Sequence, residues 1–160
     1  MSTRFPSPEL APETQMQALI VAFMAIPAIA VAAGLGIADL IAARPWTLDE
    51  LGSKARANGP SLGRLLQLLT SIGIFAQGAD GRYQQTPLIE TLRRDIPRSL
   101  RDFAILSGSD FNCRPWVELW ESIVTGQAAL ERVHGATFSD YLLAHPDKAE
   151  IVNAAMTSLS

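Results

Sequence analysis

Cysteine occurs once in the 160 residues, at Cys113, so no internal disulfide framework is available. Histidine occurs twice, and His134 and His145 lie too far apart in sequence to show zinc-ligand spacing. Charge is also scarce: Asp, Glu, Lys and Arg make up 18% of the chain, against about 25% in an ordinary soluble protein. With a net charge of −3, no global field draws the chain to nucleic acid or to an acidic membrane surface. The apolar fraction of 48% excludes disorder. The length suits one domain that buries about 70% of its unfolded surface, and a second domain of normal size does not fit. A lone thiol fits a reducing cytoplasm.

The scarcity of charge is uneven, since residues 14 to 38 carry none at all. Within them, Ala18 to Ala38 is a 21-residue apolar run, which reaches the ~20 residues that span a bilayer. Its composition argues against insertion. Eight of the 21 residues are alanine, Pro27, Gly34 and Gly36 interrupt the run, Glu9 and Glu13 precede it, and Asp39 follows. No Lys/Arg cluster sets an orientation, and Arg4 is the only early cation, so a secretory signal fails too. A helix apolar on most of its circumference then belongs in a large core or a subunit interface, and a chain this small has little core to hide it. The expected seam comprises Leu19, Ile20, Phe23, Met24, Ile26, Ile29 and Val31. Pro12 and Glu13 suit a helix start, and Pro27 is expected to kink the middle. Gly34-Leu-Gly36 superficially resembles a dinucleotide or S-adenosylmethionine loop, but no β-branched strand precedes it and Asp39 stands where the third glycine belongs.

The middle of the chain predicts a winged helix over about residues 45–86. Thr47-Leu-Asp-Glu50 is a capping box for a helix over about Leu48 to Ala57, which Asn58-Gly59 is expected to stop. Leu62, Leu65, Leu66, Leu69 and Ile72 mark the buried face of the next helix, ended by Gly73. Ile74 to Gln77 and Arg82 to Gln85 flank an Asp80-Gly81 turn as a short hairpin. DNA recognition is the activity such a pattern most often suggests, yet the candidate recognition helix offers only Arg64 and Gln67 to base edges. The wing adds only Arg82, and Lys54 and Arg56 read as readily as a solvated face.

The second half reads as helices. One runs from Thr86-Pro87 to Arg94, and one from near Arg98 to Leu106 with Arg98 and Asp102 at ion-pair spacing. Arg93, Arg94, Arg98 and Arg101 lie among Glu90, Asp95 and Asp102, a self-compensating surface. Pro115 to Val124 carries Trp116, Leu119, Trp120 and Ile123 at spacings of three and four, an aromatic face expected in the core. A further helix starts near Thr137, and after His145-Pro146 the last helix turns Ile151, Val152, Ala155 and Met156 inward. Gly108-Ser109-Asp110 is no nucleophile elbow, neither histidine has a local triad partner, and Cys113 beside Arg114 reads as a packed thiol. No catalytic, cofactor-binding or metal-ligating residue is assigned.

The ordered set of segments resembles the N-terminal dimerisation domain of bacterial and plant-type S-adenosylmethionine-dependent small-molecule O-methyltransferases. The resemblance rests on Val31-Ala-Ala-Gly-Leu-Gly-Ile-Ala-Asp-Leu40, Thr47-Leu-Asp-Glu-Leu51, Arg64 to Phe75, Asp80-Gly-Arg-Tyr83, Thr86-Pro-Leu88 and Leu92 to Arg101. Trp116-Val-Glu-Leu119, Thr125-Gly126, His134-Gly135 and Asn153-Ala-Ala-Met-Thr157 continue it. It implies a mainly α domain with a winged-helix motif and a two-stranded β wing, over residues 14–160 after a flexible segment 1–13. It further implies an intertwined homodimer, with the uncharged first helix as interface and Trp116 and Met156 as lining of one wall of the acceptor pocket. The family's S-adenosylmethionine-binding domain is expected to be absent, so no cofactor is assigned to this chain and catalysis by it alone is not expected. Half of a split methyltransferase, with a separate catalytic chain as partner, is one alternative; a winged-helix transcriptional regulator is the other.

Overall fold

A computed structural model describes residues 10–159. It is mainly α-helical with one small antiparallel wing. The uncharged stretch forms three helices, α1 (Pro12–Ala22), α2 (Ala25–Gly34) and the start of α3 (Ile37–Ala43). The expected kink at Pro27 is instead a break at Phe23–Met24, across which α1 and α2 are bent by 41°. The cause is the proline. Its ring would collide with the carbonyl four residues back, at Phe23, and its missing N–H costs nothing in the first turn of a new helix. Pro12 and Glu13 already form the first turn of α1, so the boundary drawn at residue 13 moves back to Ala11; residues 1–9 of the expected flexible segment lie outside the described residues. Among the described residues, no single helix is long and apolar enough to cross a membrane. Gly36, at φ 67°, caps the turn from α2 into α3, so Gly34-Leu-Gly36 joins two helices.

The winged helix forms as expected, with three corrections. Helix α4 (Leu48–Ala55) opens on the capping box: the Glu50 N–H donates to Thr47 Oγ1 at 3.3 Å and the Thr47 N–H donates to Glu50 Oε2 at 2.7 Å. It ends earlier than Ala57, because exposed Arg56 takes the left-handed conformation at φ 53°. Asn58 is therefore no stop. Its Oδ1 accepts the Ser61 N–H at 3.1 Å as the N-cap of α5 (Gly59–Ser71), the better use of a short acceptor side chain between two close helices. Leu62, Leu66 and Leu69 are buried as expected, and Leu65 is half-buried. Ile72 is exposed, because α5 ends at Ser71 and the next residue leaves its face. Strands β1 (Ala76–Gln77) and β2 (Tyr83–Gln84) pair with Ala76 opposite Gln84. Trp46 adds a bridge on the far side of Tyr83, through N–H to carbonyl bonds of 3.1 and 2.8 Å, and so ties the entry of α4 to the wing.

The remaining helices are α6 (Pro87–Glu90), α7 (Arg101–Ser107), α8 (Asp110–Val117), α9 (Leu119–Thr125), α10 (Ala129–His134), α11 (Phe138–Ala144) and α12 (Pro146–Ser158). Helix α6 stops well short of Arg94, and α7 starts after Arg98, whose φ of 59° takes it out of the helix. The expected Arg98–Asp102 pair cannot form at helix spacing; Arg101 Nη1 meets Asp102 Oδ1 at 2.6 Å instead. The core joins α2, α3, α4, α5, the wing and α6, with Ile37, Leu51, Leu66, Leu69, Phe75 and Ile89 its largest fully buried side chains.

Helix α7 lies across α2 and α12. Gly108, at its C-terminal end, has no room for a side chain: an added Cβ would overlap the Ala30 Cβ and come within 3.1 Å of the Ile26 carbonyl and 3.2 Å of the Pro27 Cα. Backbone cannot give way as a flexible side chain would. Gly108→Ala is therefore expected to destabilise the fold by about 1–3 kcal/mol, the range of an overpacked core, read as a lower urea midpoint at unchanged slope.

Candidate association surface and pocket wall

The principal correction lies in the tryptophan segment. The expected single core helix over Pro115 to Val124 is two helices, broken at Glu118, and its apolar face is turned to solvent. Trp116 is 63% exposed, Trp120 and Ile123 78% each, and Val117, Leu119 and Val124 are exposed as well. Pro115 inside α8 removes one helical donor and Glu118 serves as C-cap to α8 and N-cap to α9, so neither short helix continues the other. A three-and-four spacing records an apolar face that needs cover, whichever element supplies it.

The first two helices expose a comparable face. No residue of α1 is buried. Leu19, Ile20, Phe23, Met24, Ile26 and Val31 are all exposed, from 42% at Ile26 to 67% at Ile20, whereas Ile29 is half-buried against the core. Met16 and Val21 extend the exposed set. Met156, expected to face inward, is 47% exposed; Val152 and Ala155 turn inward as expected, and Ile151 is half-buried.

Polar groups show the opposite pattern, pairing within the chain. Arg93 spans Asp95 at 2.6 Å and Glu90 at 3.7 Å, and Arg94 reaches Asp39 at 3.4 Å, so the densest basic cluster is internally compensated. Glu50 receives Arg44 and Arg82 at 3.0 Å each, which ties up the one cation the wing offered to phosphate. Arg44 also stacks over Trp46, 4.0 Å from the ring centroid. The Arg44 guanidinium, followed by the Thr47 N–H, holds the Glu50 carboxyl down at about 2. Because the folded value is depressed, the stability it contributes is present in full above the ordinary value of about 4.5 and is lost as pH falls towards about 2. Asp95 and Asp147, also lowered by their cation neighbours, act with the same sign. Glu50→Gln is expected to flatten part of the decline in urea midpoint between those pH values, measured against the unaltered chain; an identical decline would sink the assignment.

The two histidines are structural neighbours rather than acid–base groups with a carboxylate partner. His134 stacks on Phe111 with centroids 5.1 Å apart, and its Nε2 lies 3.0 Å from the Phe111 carbonyl. His145 stacks on Tyr141 at 4.1 Å, and Tyr141 lies on Phe111 at 4.9 Å, so one aromatic column pins α8, α10 and α11 together. Cys113 is a free thiol, its Sγ 3.2 Å from the Ser107 carbonyl. No cluster of three or more His, Cys, Asp or Glu suited to a metal ion occurs among the described residues. Nor do these residues fit S-adenosylmethionine. The sheet among the described residues is the antiparallel wing, no strand leads into Gly34-Leu-Gly36, and a Cβ at Gly36 would already meet Arg94 Nη2 and Asp39 Oδ2 at 3.5 Å.

A helical domain with a bound-down polar surface and two uncovered apolar faces is matched by known proteins. The family model of the O-methyltransferase dimerisation domain matches residues 17–95. The phenazine O-methyltransferase of Lysobacter antibioticus is 36% identical over 137 residues, 86% of this chain and 40% of that protein. The crystal structure of LaPhzM superposes with a TM-score of 0.87 at 33% identity, over 94% of this chain and 45% of that one. An O-methyltransferase from neocarzinostatin biosynthesis, solved with S-adenosylmethionine and 2-hydroxy-5-methyl naphthoic acid, gives a TM-score of 0.70 at 34% identity, over 84% of this chain and 42% of that one. The chain thus spans about 40% of the length of the curated relatives it matches. It belongs to the O-methyltransferase dimerisation-domain family.

Proposed function

We propose that this chain is the homodimerisation part of an S-adenosylmethionine-dependent O-methyltransferase, and that it lends one wall to the acceptor-substrate pocket. The observation that carries the reading is α1: a helix of 11 residues with none buried and an apolar majority on its exposed face. An isolated helix of that length is marginal in water, so its stability must come from packing. Leu19, Ile20, Phe23, Met24, Ile26 and Val31 supply the seam, with Ile29 behind them. Trp116 and Met156 supply the wall. The matched relatives act on or hold fused-ring aromatic molecules, a phenazine and a naphthoic acid, and an exposed indole is suited to stack on such an acceptor. Methyl transfer belongs to an S-adenosylmethionine-binding domain, on this polypeptide or on a separate chain, and a cytoplasmic location fits the free thiol. Sedimentation velocity at micromolar concentration is expected to give a dimer; a stable monomer would overturn the reading.

A further inference from the structure

We infer that α8–α11, residues 110–144, pivot as one body against the rest of the chain, and that the pivot widens or narrows the gap between Trp116 and Met156. The functional meaning rests on the pocket-wall reading above; the motion itself does not. The segment is tied chiefly to itself. Phe111 is its one buried residue, and the rings beside it come from within: His134 at 5.1 Å, Phe138 at 5.9 Å and Tyr141 at 4.9 Å between centroids. Among the described residues, every ion pair of the segment also closes inside it. Arg132 on α10 reaches Glu118 at 2.6 Å and Glu121 at 3.8 Å, which braces the break between α8 and α9, and Arg114 meets Asp110 at 3.7 Å.

Attachment to the remainder is confined to the two ends. The four helices pack on one another, on α7 before them and on α12 after them, with no close packing against the core helices α2–α5. At the first end one extended residue, Ser109 (φ −71°, ψ 155°), separates α7 from α8. The Ser107 carbonyl latches that joint, accepting Asn112 Nδ2 at 3.0 Å and lying 3.2 Å from Cys113 Sγ. Gly108, wedged against Ile26, Pro27 and Ala30, holds the near side of the joint still. At the other end His145 (φ −129°, ψ 78°) separates α11 from α12, and Pro146 has no N–H to carry the helical ladder across. Single residues between packed bodies are where a hinge absorbs its change in φ and ψ. Trp116 rides on the pivoting body, whereas Met156 stays with α12, which buries Val152 and Ala155 and lies along α7. The two members of the acceptor wall thus belong to different bodies, and the wall adjusts to aromatic acceptors of different width.

The test measures distances by double electron–electron resonance in the full chain with Cys113→Ser, which keeps a donor for the Ser107 carbonyl. Spin labels go on exposed positions as cysteine pairs: Lys54→Cys with Val124→Cys across the joint, Lys54→Cys with Glu150→Cys within the still part, and Val124→Cys with Leu143→Cys within the pivoting part. Dilution with unlabelled chain restricts the signal to pairs in one copy. The distribution for 54–124 is expected to be about twofold or more wider than the other two, as for a hinge between rigid bodies. A 54–124 distribution as narrow as that of 54–150 overturns the pivot and leaves the dimer and the wall standing, whereas a monomer in sedimentation overturns the dimer reading and leaves the pivot. A 124–143 distribution as wide as that of 54–124 shows a segment that comes apart, which also overturns it. Asn112→Ala, with far-UV circular dichroism unchanged, is expected to widen the 54–124 distribution further, and an unchanged width overturns the latch.

Discussion

Ile20→Glu combined with Phe23→Glu is expected to give a folded monomer. The two side chains are 67% and 54% exposed within one copy, so neither change removes a core contact, and surface changes of this kind usually alter stability by about 0.5 kcal/mol or less. In the dimer both carboxylates would be desolvated opposite apolar partners, in a stretch that contains no cation from residue 14 to residue 38. An unpaired buried charge costs several kcal/mol even after relaxation. Two of them are expected to raise the dimer dissociation constant by about a thousandfold or more. Sedimentation velocity together with circular dichroism reads both halves of the outcome. A dimer that survives the pair of charges would place the interface away from α1, and Ile20→Gln with Phe23→Gln should fall between the two extremes.

The second large effect is in the core. Phe75→Ala is expected to destabilise the domain by about 3–5 kcal/mol, a large share of the 5–15 kcal/mol available to a domain. Phe75 is only 2% exposed and is the largest fully buried side chain. It occupies the corner where α5 gives way to the wing: its N–H and that of Ile74 both point to the Leu69 carbonyl, at 3.4 and 2.9 Å. A cavity there cannot collapse easily, because Leu66, Leu69 and Ile89 around it are themselves buried in regular elements. Urea unfolding by circular dichroism gives the value. Phe75→Leu, which keeps most of the volume, is expected to lose markedly less; equal losses would show that the site is not close-packed.

Local chemistry was legible wherever it is written in adjacent residues. The Thr47–Glu50 capping box, the left-handed Gly73 and the Asp80-Gly81 turn need only a few neighbours, and each forms as read. The same holds for the periodic leucines of α5, whose burial follows from their spacing once the winged helix closes around them. Boundaries were less legible. Asn58 suits both the end of one helix and the start of the next, and the competition was settled by Arg56, which accepted the left-handed conformation because its side chain could remain in water. Gly108 was invisible as a packing residue, since its role depends on α2, some eighty positions earlier in the chain.

The apolar faces mark the limit of linear reading most clearly. Thr14 to Ala38 and Pro115 to Val124 both announce, through composition and spacing, that they require cover. Burial is a relation between two surfaces, however, and one strand of text names only the first of them. The fold buried Ala32, Ala33 and Ile37 against α5 and the wing, yet left Ile20, Phe23, Trp116 and Trp120 in water. A stretch that looked uniform thus divides into a core half and a half exposed to solvent, because α7 and α5 pack on α2 while α1 bends away by 41° at Phe23–Met24.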